Sequence, residues 1–274
     1  MTGSFVTGAE AAAAKPPRPA ATVMLLRDTE SGPAVFLLQR ASTMAFAAGM
    51  TVFPGGAVDD RDRNADIDWA GPEPDWWAER MGVDEELALA LVCAAVRETF
   101  EECGVLLAGP AEDRIVGDAS AYHRVRNDLA SGAVSLSEFL RSEQLMVRAD
   151  LLRPWANWVT PPQERRRYDT YFFVAALPHG QQADGLTSEA VDAGWALPTD
   201  AIEDFSGGRR FLLPPTWTQL HSLADAQGPV SEILAVEREI VAVQPEVIGT
   251  EGNWSVDFFD TERYTQALRR RPRT

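Results

Sequence analysis

The sequence predicts an α/β fold, a mixed β-sheet held between helices. Three observations predict it. Two short apolar, β-branched runs, ATVMLLRD and AVFLLQRA, flank the turn signal TESGP, which reads as a hairpin. A run from Glu85 to Cys103 keeps an apolar face at the helical period and stops at Gly104, a glycine suited to a left-handed cap. Far along the chain, WANWVT and the aromatic RYDTYFFVAALP carry the composition of two more strands.

The 274 residues, 45% hydrophobic and 24% charged, are enough for one large domain or two ordinary ones with a sizeable core. A net charge of −16 argues against a nucleic acid polymer as partner, because binding a phosphate backbone needs a basic face. No apolar run reaches the roughly 18 residues of a membrane span, and no signal-peptide pattern opens the chain, so the expectation includes no membrane. Cys93 and Cys103 fall on the apolar side of one helix and are expected to be inert core thiols, in a reducing, cytoplasmic setting.

Taken in order, residues 1–20 are small and Pro-interrupted and read as a flexible arm ahead of a domain spanning 21–245. After the hairpin, MTVFPGG reads as a third strand entering a glycine turn. Residues 59–83 are acidic, with Gly71, Pro72, Pro74, Trp76 and Trp77, and read as a surface insertion with a short helical piece. Asp84, Glu85 and Glu86 supply an N-cap and a favourable first turn for the helix that ends at Gly104. A second insertion, 111–148, contains two helical patterns, ASAYHRVRNDLA and SLSEFLRSEQLM. AGWALP is a further short strand, helices follow at 215–225 and 230–243, and 246–274 is a tail whose RRRPR is a solvated end. Trp76, Trp77, Trp155 and Trp158 are expected to pack rather than stack on a base. His123, His179 and His221 show no zinc spacing.

The chemistry concentrates at the end of the long helix. At about 100° per residue, Glu98, Glu101 and Glu102 share one face and point outward, opposite Val92, Val96 and Phe100. A helix C-terminus carries partial negative charge, so each acid there costs roughly 0.3–1 kcal/mol, and the like charges repel at i,i+3 and i,i+4. Stability alone does not select such a cluster. Hard oxygen ligands on a rigid helix are what Mg²⁺ or Mn²⁺ requires. Arg97, four residues before Glu101, is placed to hold its rotamer. Upstream, the paired glycines Gly55 and Gly56 let the backbone approach a ligand and aim a carbonyl at a metal.

Gly55-Gly56 followed by Arg97-Glu98-Thr99-Phe100-Glu101-Glu102-Cys103-Gly104-Val105 resembles the Nudix box, G-x5-E-x7-R-E-U-x-E-E-x-G-U with U apolar. Every position from the arginine onward fits, Thr99 being a weak U. Asp62 fills the first acidic position, with 34 residues rather than seven before Arg97. That insertion resembles the Nudix branch that includes a peroxisomal coenzyme A diphosphatase. Upstream, Arg40, Ala41, Gly49 and Phe53 to Gly56 match a pattern of coenzyme A-type members, while Leu38 and Ala45 depart from it.

The resemblance implies a Nudix fold and metal-dependent hydrolysis of a diphosphate in a nucleotide-derived small molecule. Coenzyme A or acyl-CoA comes first, ahead of ADP-ribose, NADH, nucleotide sugars and damaged NTPs. The rival is a catalytically silent, nucleotide-sensing domain, although such a domain need not keep Arg97, Glu98, Glu101 and Glu102. By motif position, Glu101, Glu102 and Glu98 and the Gly55 carbonyl would hold Mg²⁺ or Mn²⁺. Glu98 would serve as ligand or base, and Arg97 would orient the carboxylates. Glu189, on a loop ahead of a strand, resembles the additional acid of such enzymes, ahead of Asp192. Arg40, Gly56, Arg166 and Arg167 are candidate substrate contacts. A homodimer is implied by analogy.

Overall fold

A computed structural model describes residues 15–42, 47–63, 67–226, 228–250 and 253–272. Most of the expected arm, and Ala45 with it, lies outside the described residues.

The first hairpin forms as expected: β1 (Arg18–Thr29) and β2 (Gly32–Arg40) pair antiparallel, with Thr29 opposite Gly32. β1 starts at Arg18, inside the stretch read as an arm, because β9 (Tyr168–Ala176) pairs with it in parallel from that residue onward. β3 (Thr51–Val52) pairs with β2, and β4 (Gly55–Ala57) pairs with β1. The third strand is therefore two fragments with the Pro54 turn between them. Adding β8 (Leu152–Val159), β10 (Ala190–Ala196) and β11 (Ala242–Val243) gives the order β10-β2-β1-β9-β8-β11. The sheet is mixed, with β1–β9 and β8–β11 parallel and the other pairs along this path antiparallel.

Side chains alternate between two apolar layers, the period-2 consequence of the pleat. Val23 and Leu25 face one core, while Met24 and Leu26 face the other. On the first side lie α1 (Asp60–Arg63), α2 (Pro74–Met81), the long α3 (Glu85–Cys103), α4 (His123–Ala130) and α5 (Leu136–Ser142). A small sheet of β5 (Trp69–Ala70), β6 (Ala108–Gly109) and β7 (Met146–Arg148) accompanies them. On the second side lie α6 (Pro198–Ser206), α7 (Pro214–Asp225), α8 (Val230–Leu234) and α9 (Thr261–Arg270). The result is the expected sheet between helices.

Three readings are corrected by packing. Residues 59–83 do more than decorate the surface: Trp77 is fully buried against Phe173 and Met81 is buried beside it. Trp155 and Trp158 are likewise core. The helix expected over 230–243 ends at Leu234. The segment read as a tail forms a hairpin, β12 (Glu246–Thr250) with β13 (Asn253–Asp257), and then α9. Tyr264 of α9 is buried against Phe205 and Trp217 and donates its hydroxyl to the Leu212 carbonyl at 2.8 Å. One aromatic anchor converts a polar stretch into a docked helix.

Candidate active site

The site is built on the last turn of α3. The Asp84 side chain caps its start by accepting from Leu87 N–H, and Gly104 closes it with φ +72°. Thr99 fits its apolar position because its hydroxyl donates to the Ala95 carbonyl at 2.7 Å, one turn earlier, leaving no polar group unsatisfied in the core.

Arg97, 8% exposed, is the hub. Its Nε donates to Asp62 Oδ1 at 3.0 Å and Nη2 to Asp62 Oδ2 at 2.9 Å, a fork-to-fork pair. Nη2 also donates to the Ala57 carbonyl at 3.0 Å, and Nη1 reaches Glu98 Oε1 at 2.7 Å and Glu101 Oε1 at 3.3 Å. Asp62, the residue that motif counting reaches across the long insertion, lies on α1 and pairs with Arg97. It is buried and also accepts Asp59 N–H at 2.8 Å. Burial alone would lower the Arg97 pKa; Glu98, Asp62 and Glu101 outweigh it and raise it.

The acids are not solvated, which corrects the outward-facing expectation: the glycine turn and α1 cover them. The side chains of Glu98 and Glu101 are 13% and 12% exposed, and Glu102 is buried. Gly55 donates its N–H to Glu102 Oε2 at 2.7 Å, so it meets the acids through its amide. A Cβ on Gly56 would collide with the Glu98 carboxyl, and one on Gly55 with the Ala21 carbonyl. The glycines permit close approach, and what approaches is the acidic helix. Burial, opposed by Arg97, lifts the Glu98 pKa to about 7, with Glu101 and Glu189 adding to the rise. Burial and the neighbouring Glu98 also push Glu102 well above the usual range. Glu101 is raised as well, by burial first.

Glu189 precedes β10 and pairs with Arg40, at the end of β2, at 3.3 Å. Its charge is felt by both Glu98 and Glu102, so the structure brings it to the acidic turn. Asp192 is exposed on β10. Arg166 is exposed in the turn between β8 and β9, at the end of the sheet where β4 joins β1. Arg167 donates instead to the Thr160 and Lys15 carbonyls and the Gln244 side chain, tying that turn down. Cys93 and Cys103 are buried, and burial pushes the Cys103 thiol up to about 12.

Sequence reasoning missed two residues that frame the site and a third that braces the chain beyond it. Arg126 of α4 is buried against the end of α3, Asp184 pairs with it, and Gln181 braces the chain after α3 through Leu106 and Val116. Arg126 sits inside a helical pattern that reads as polar surface, so only its burial marks it.

Among the described residues no three His, Cys, Asp or Glu side chains converge as a metal-holding group. Arg97 draws Glu98 and Glu101 toward itself, and Gly55 N–H holds Glu102. The donor chemistry nevertheless fits a hard divalent cation, because buried carboxylates with raised proton affinity gain most from one.

A mixed sheet between helices, with a glycine turn laid against a helix end carrying an arginine-bound acidic cluster, defines a Nudix-type domain. A solved structure, a Nudix hydrolase from Alicyclobacillus acidocaldarius, is similar with a TM-score of 0.68 and 27% identity, over 82% of this chain and 98% of that one. The family model described as the NUDT19 Nudix domain matches residues 73–223, more than half of the chain, and the chain belongs to that family. Among curated relatives, the acyl-coenzyme A diphosphatase NUDT19 of Homo sapiens is 30% identical over 236 residues, 70% of this chain and 60% of that protein. The Xenopus laevis protein of the same name is 25% identical over 234 residues, 73% of this chain and 61% of that protein. This chain thus spans about three fifths of the length of these relatives.

Proposed function

We propose that this protein is a metal-dependent diphosphatase that cleaves the diphosphate of a nucleotide-derived small molecule, with coenzyme A or acyl-CoA as the preferred substrate class. The observation that carries the reading is the Arg97 network: one buried guanidinium fixes Asp62, Glu98 and Glu101 together while Gly55 N–H fixes Glu102. A purely structural helix end gains nothing from concentrating acids there. The names of the relatives support coenzyme A derivatives as substrates.

Glu98, Glu101 and Glu102, with the Gly55 carbonyl, would hold Mg²⁺ or Mn²⁺. Bound divalent metal neutralises charge on phosphate oxygens and lowers the pKa of an attacking water. The chain's own residues supply the rest. Arg97 holds the rotamers of Glu98 and Glu101. Glu98, raised to about 7, can accept a proton at its carboxylate near neutral pH, the condition for general-base work. Glu189 is the second candidate base. Arg40, whose 3.3 Å contact with Glu189 is loose, can exchange that carboxylate for a substrate phosphate. Arg166 is free of the turn contacts that engage Arg167 and can meet the distal part of the substrate.

Mass-spectrometric product analysis of coenzyme A, ADP-ribose, NADH and a nucleotide sugar, with Mg²⁺ or Mn²⁺ and with Glu102→Gln as control, tests the reading. Release of 4′-phosphopantetheine and 3′,5′-ADP, abolished in Glu102→Gln, is the expected result. Cleavage of another compound alone would replace the substrate class. Binding without turnover of any compound would replace the enzyme reading with a nucleotide sensor.

A further inference from the structure

We propose that Arg126, carried by the inserted helix α4, is a positioning residue that locks the acidic end of α3 to the loop bearing Glu189. The inference rests on the diphosphatase reading above and deepens it, because it makes the insertion a working part of the site. Arg126 Nε donates to the Glu101 carbonyl at 3.0 Å, and Nη1 donates to Asp184 Oδ1 and Oδ2 at 2.7 and 2.9 Å. Asp184 in turn donates its backbone N–H to the Cys103 carbonyl at 3.0 Å and accepts Leu186 N–H at 2.9 Å. One guanidinium therefore holds the turn that presents Glu101 and Glu102 and, through Asp184, the segment that reaches Glu189 five residues later.

The arrangement also completes the account of Gly104. Its φ of +72° already favours glycine, and a Cβ there would lie 2.8 Å from Arg126 Nη1 and 3.0 Å from Asp184 Oδ2. The missing side chain gives the cation its route to the helix end. A positive group at the last carbonyls opposes both the helix dipole and the charge of the acids above it. The Arg126 side chain is only 4% exposed, so its position is set by packing rather than by solvent.

A rival explanation is that Arg126 merely glues the insertion to the core, and the structure supplies the control. Gln181 joins neighbouring segments by accepting Leu106 N–H and donating to the Leu106 and Val116 carbonyls, without bonding to α3. Arg126→Met, Arg126→Lys, Asp184→Asn and Gln181→Met are compared for kcat, KM, melting temperature, Mn²⁺ affinity by calorimetry and amide exchange at Asp184. Arg126→Met is expected to lower kcat and Mn²⁺ affinity by about tenfold or more while KM changes little. Arg126→Lys should recover part of that loss and Asp184→Asn should share it, with faster exchange at Asp184 in both Arg126→Met and Asp184→Asn. Gln181→Met should lose melting temperature with kcat unchanged. Combining Arg126→Met with Glu189→Gln should cost less than the product of the two single losses, since part of the Arg126 effect passes through Glu189.

Wild-type kcat and Mn²⁺ affinity in a folded Arg126→Met, or effects that simply add with Glu189→Gln, would overturn the inference. If Arg126→Met does not fold, Arg126→Lys and Asp184→Asn decide by the same readouts. If the wild-type protein turns over no diphosphate, the diphosphatase reading falls by itself. Mn²⁺ affinity and Asp184 exchange then decide on Arg126, and wild-type values in the variants overturn its role.

Discussion

Replacing Asp62 with alanine removes the far side of the Arg97 network. Asp62 is 2% exposed and accepts three contacts from Arg97, at 2.9, 3.0 and 3.3 Å, together with Asp59 N–H. Breaking a buried ion pair by deleting one partner costs about 3–5 kcal/mol, because the other charge stays behind. Arg97 keeps Glu98 and Glu101, so the lower end applies, about 3 kcal/mol. For a domain of this size each kcal/mol moves the melting temperature by about 2–4 °C, giving a fall of about 6–12 °C. The assay is thermal unfolding by circular dichroism in EDTA, with Glu237→Gln as comparison. Glu237 pairs with Arg80 at the surface with its own side chain 79% exposed, so its loss should cost less than about 1 kcal/mol. The same Asp62 variant should also lose activity, since Arg97 is released to pair more fully with the acids proposed to hold the metal. A melting temperature within about 2 °C of wild type would show that the pair is not coupled to folding, and the hub reasoning would fail with it.

Metal-free protein should lose stability as pH rises from about 4.5 to about 7. The Glu98 pKa is raised from 4.5 to about 7 on folding, so the folded state binds more protons in that window and deprotonation favours unfolding. Mg²⁺ or Mn²⁺ should reverse that slope, and chemical denaturation at several pH values with and without metal measures it; a metal-free stability that rises over the window would refute the burial argument. Gly56→Ala should keep the fold yet lower kcat by about 100-fold, because the new methyl displaces Glu98 and a misplacement near 1 Å has that effect. Wild-type kcat in this variant would show that Glu98 has room to move without consequence. Arg40→Ala should raise KM several-fold while Arg167→Ala changes it less than about twofold, since the latter guanidinium already serves the β8–β9 turn. Steady-state kinetics separates them, and equal effects would refute the assignment.

The strands and α3 are legible in the sequence because their signals are local: a turn between apolar runs, a helical period, a capping Asp84 and a Gly104. Arg97, Glu98, Glu101 and Glu102 are legible because acids crowded on one face at a helix C-terminus, against the dipole, stand out at the helical spacing. Asp62 is reached by counting from Gly56 even across the insertion. Their burial is not legible, since periodicity places the acids opposite the core and says nothing of the glycine turn that folds over them. Trp77 with Met81 in α2 and Tyr264 in α9 are similar cases: a few apolar residues in polar surroundings dock each helix. Arg126 and Asp184 stand 58 positions apart, and no pattern within either segment names the other.

The charge at the site explains why so many acids are tolerated at a helix end. Asp62, Glu98, Glu101 and Glu102 gather at one helix end, and Arg97 bonds to the first three of them. Arg126 binds the backbone of the same turn but gives its charge to Asp184. The excess is absorbed partly by holding protons: the raised pKa values of Glu98 and Glu102 describe carboxylates that resist ionisation until a cation compensates them. In that state protons and divalent ions compete for the same oxygens, so metal affinity should climb as pH rises through 7. Gly55 N–H on Glu102 and Arg97 on Glu98 each hold a carboxylate in place, so a divalent ion would replace protons on oxygens whose positions are already restrained.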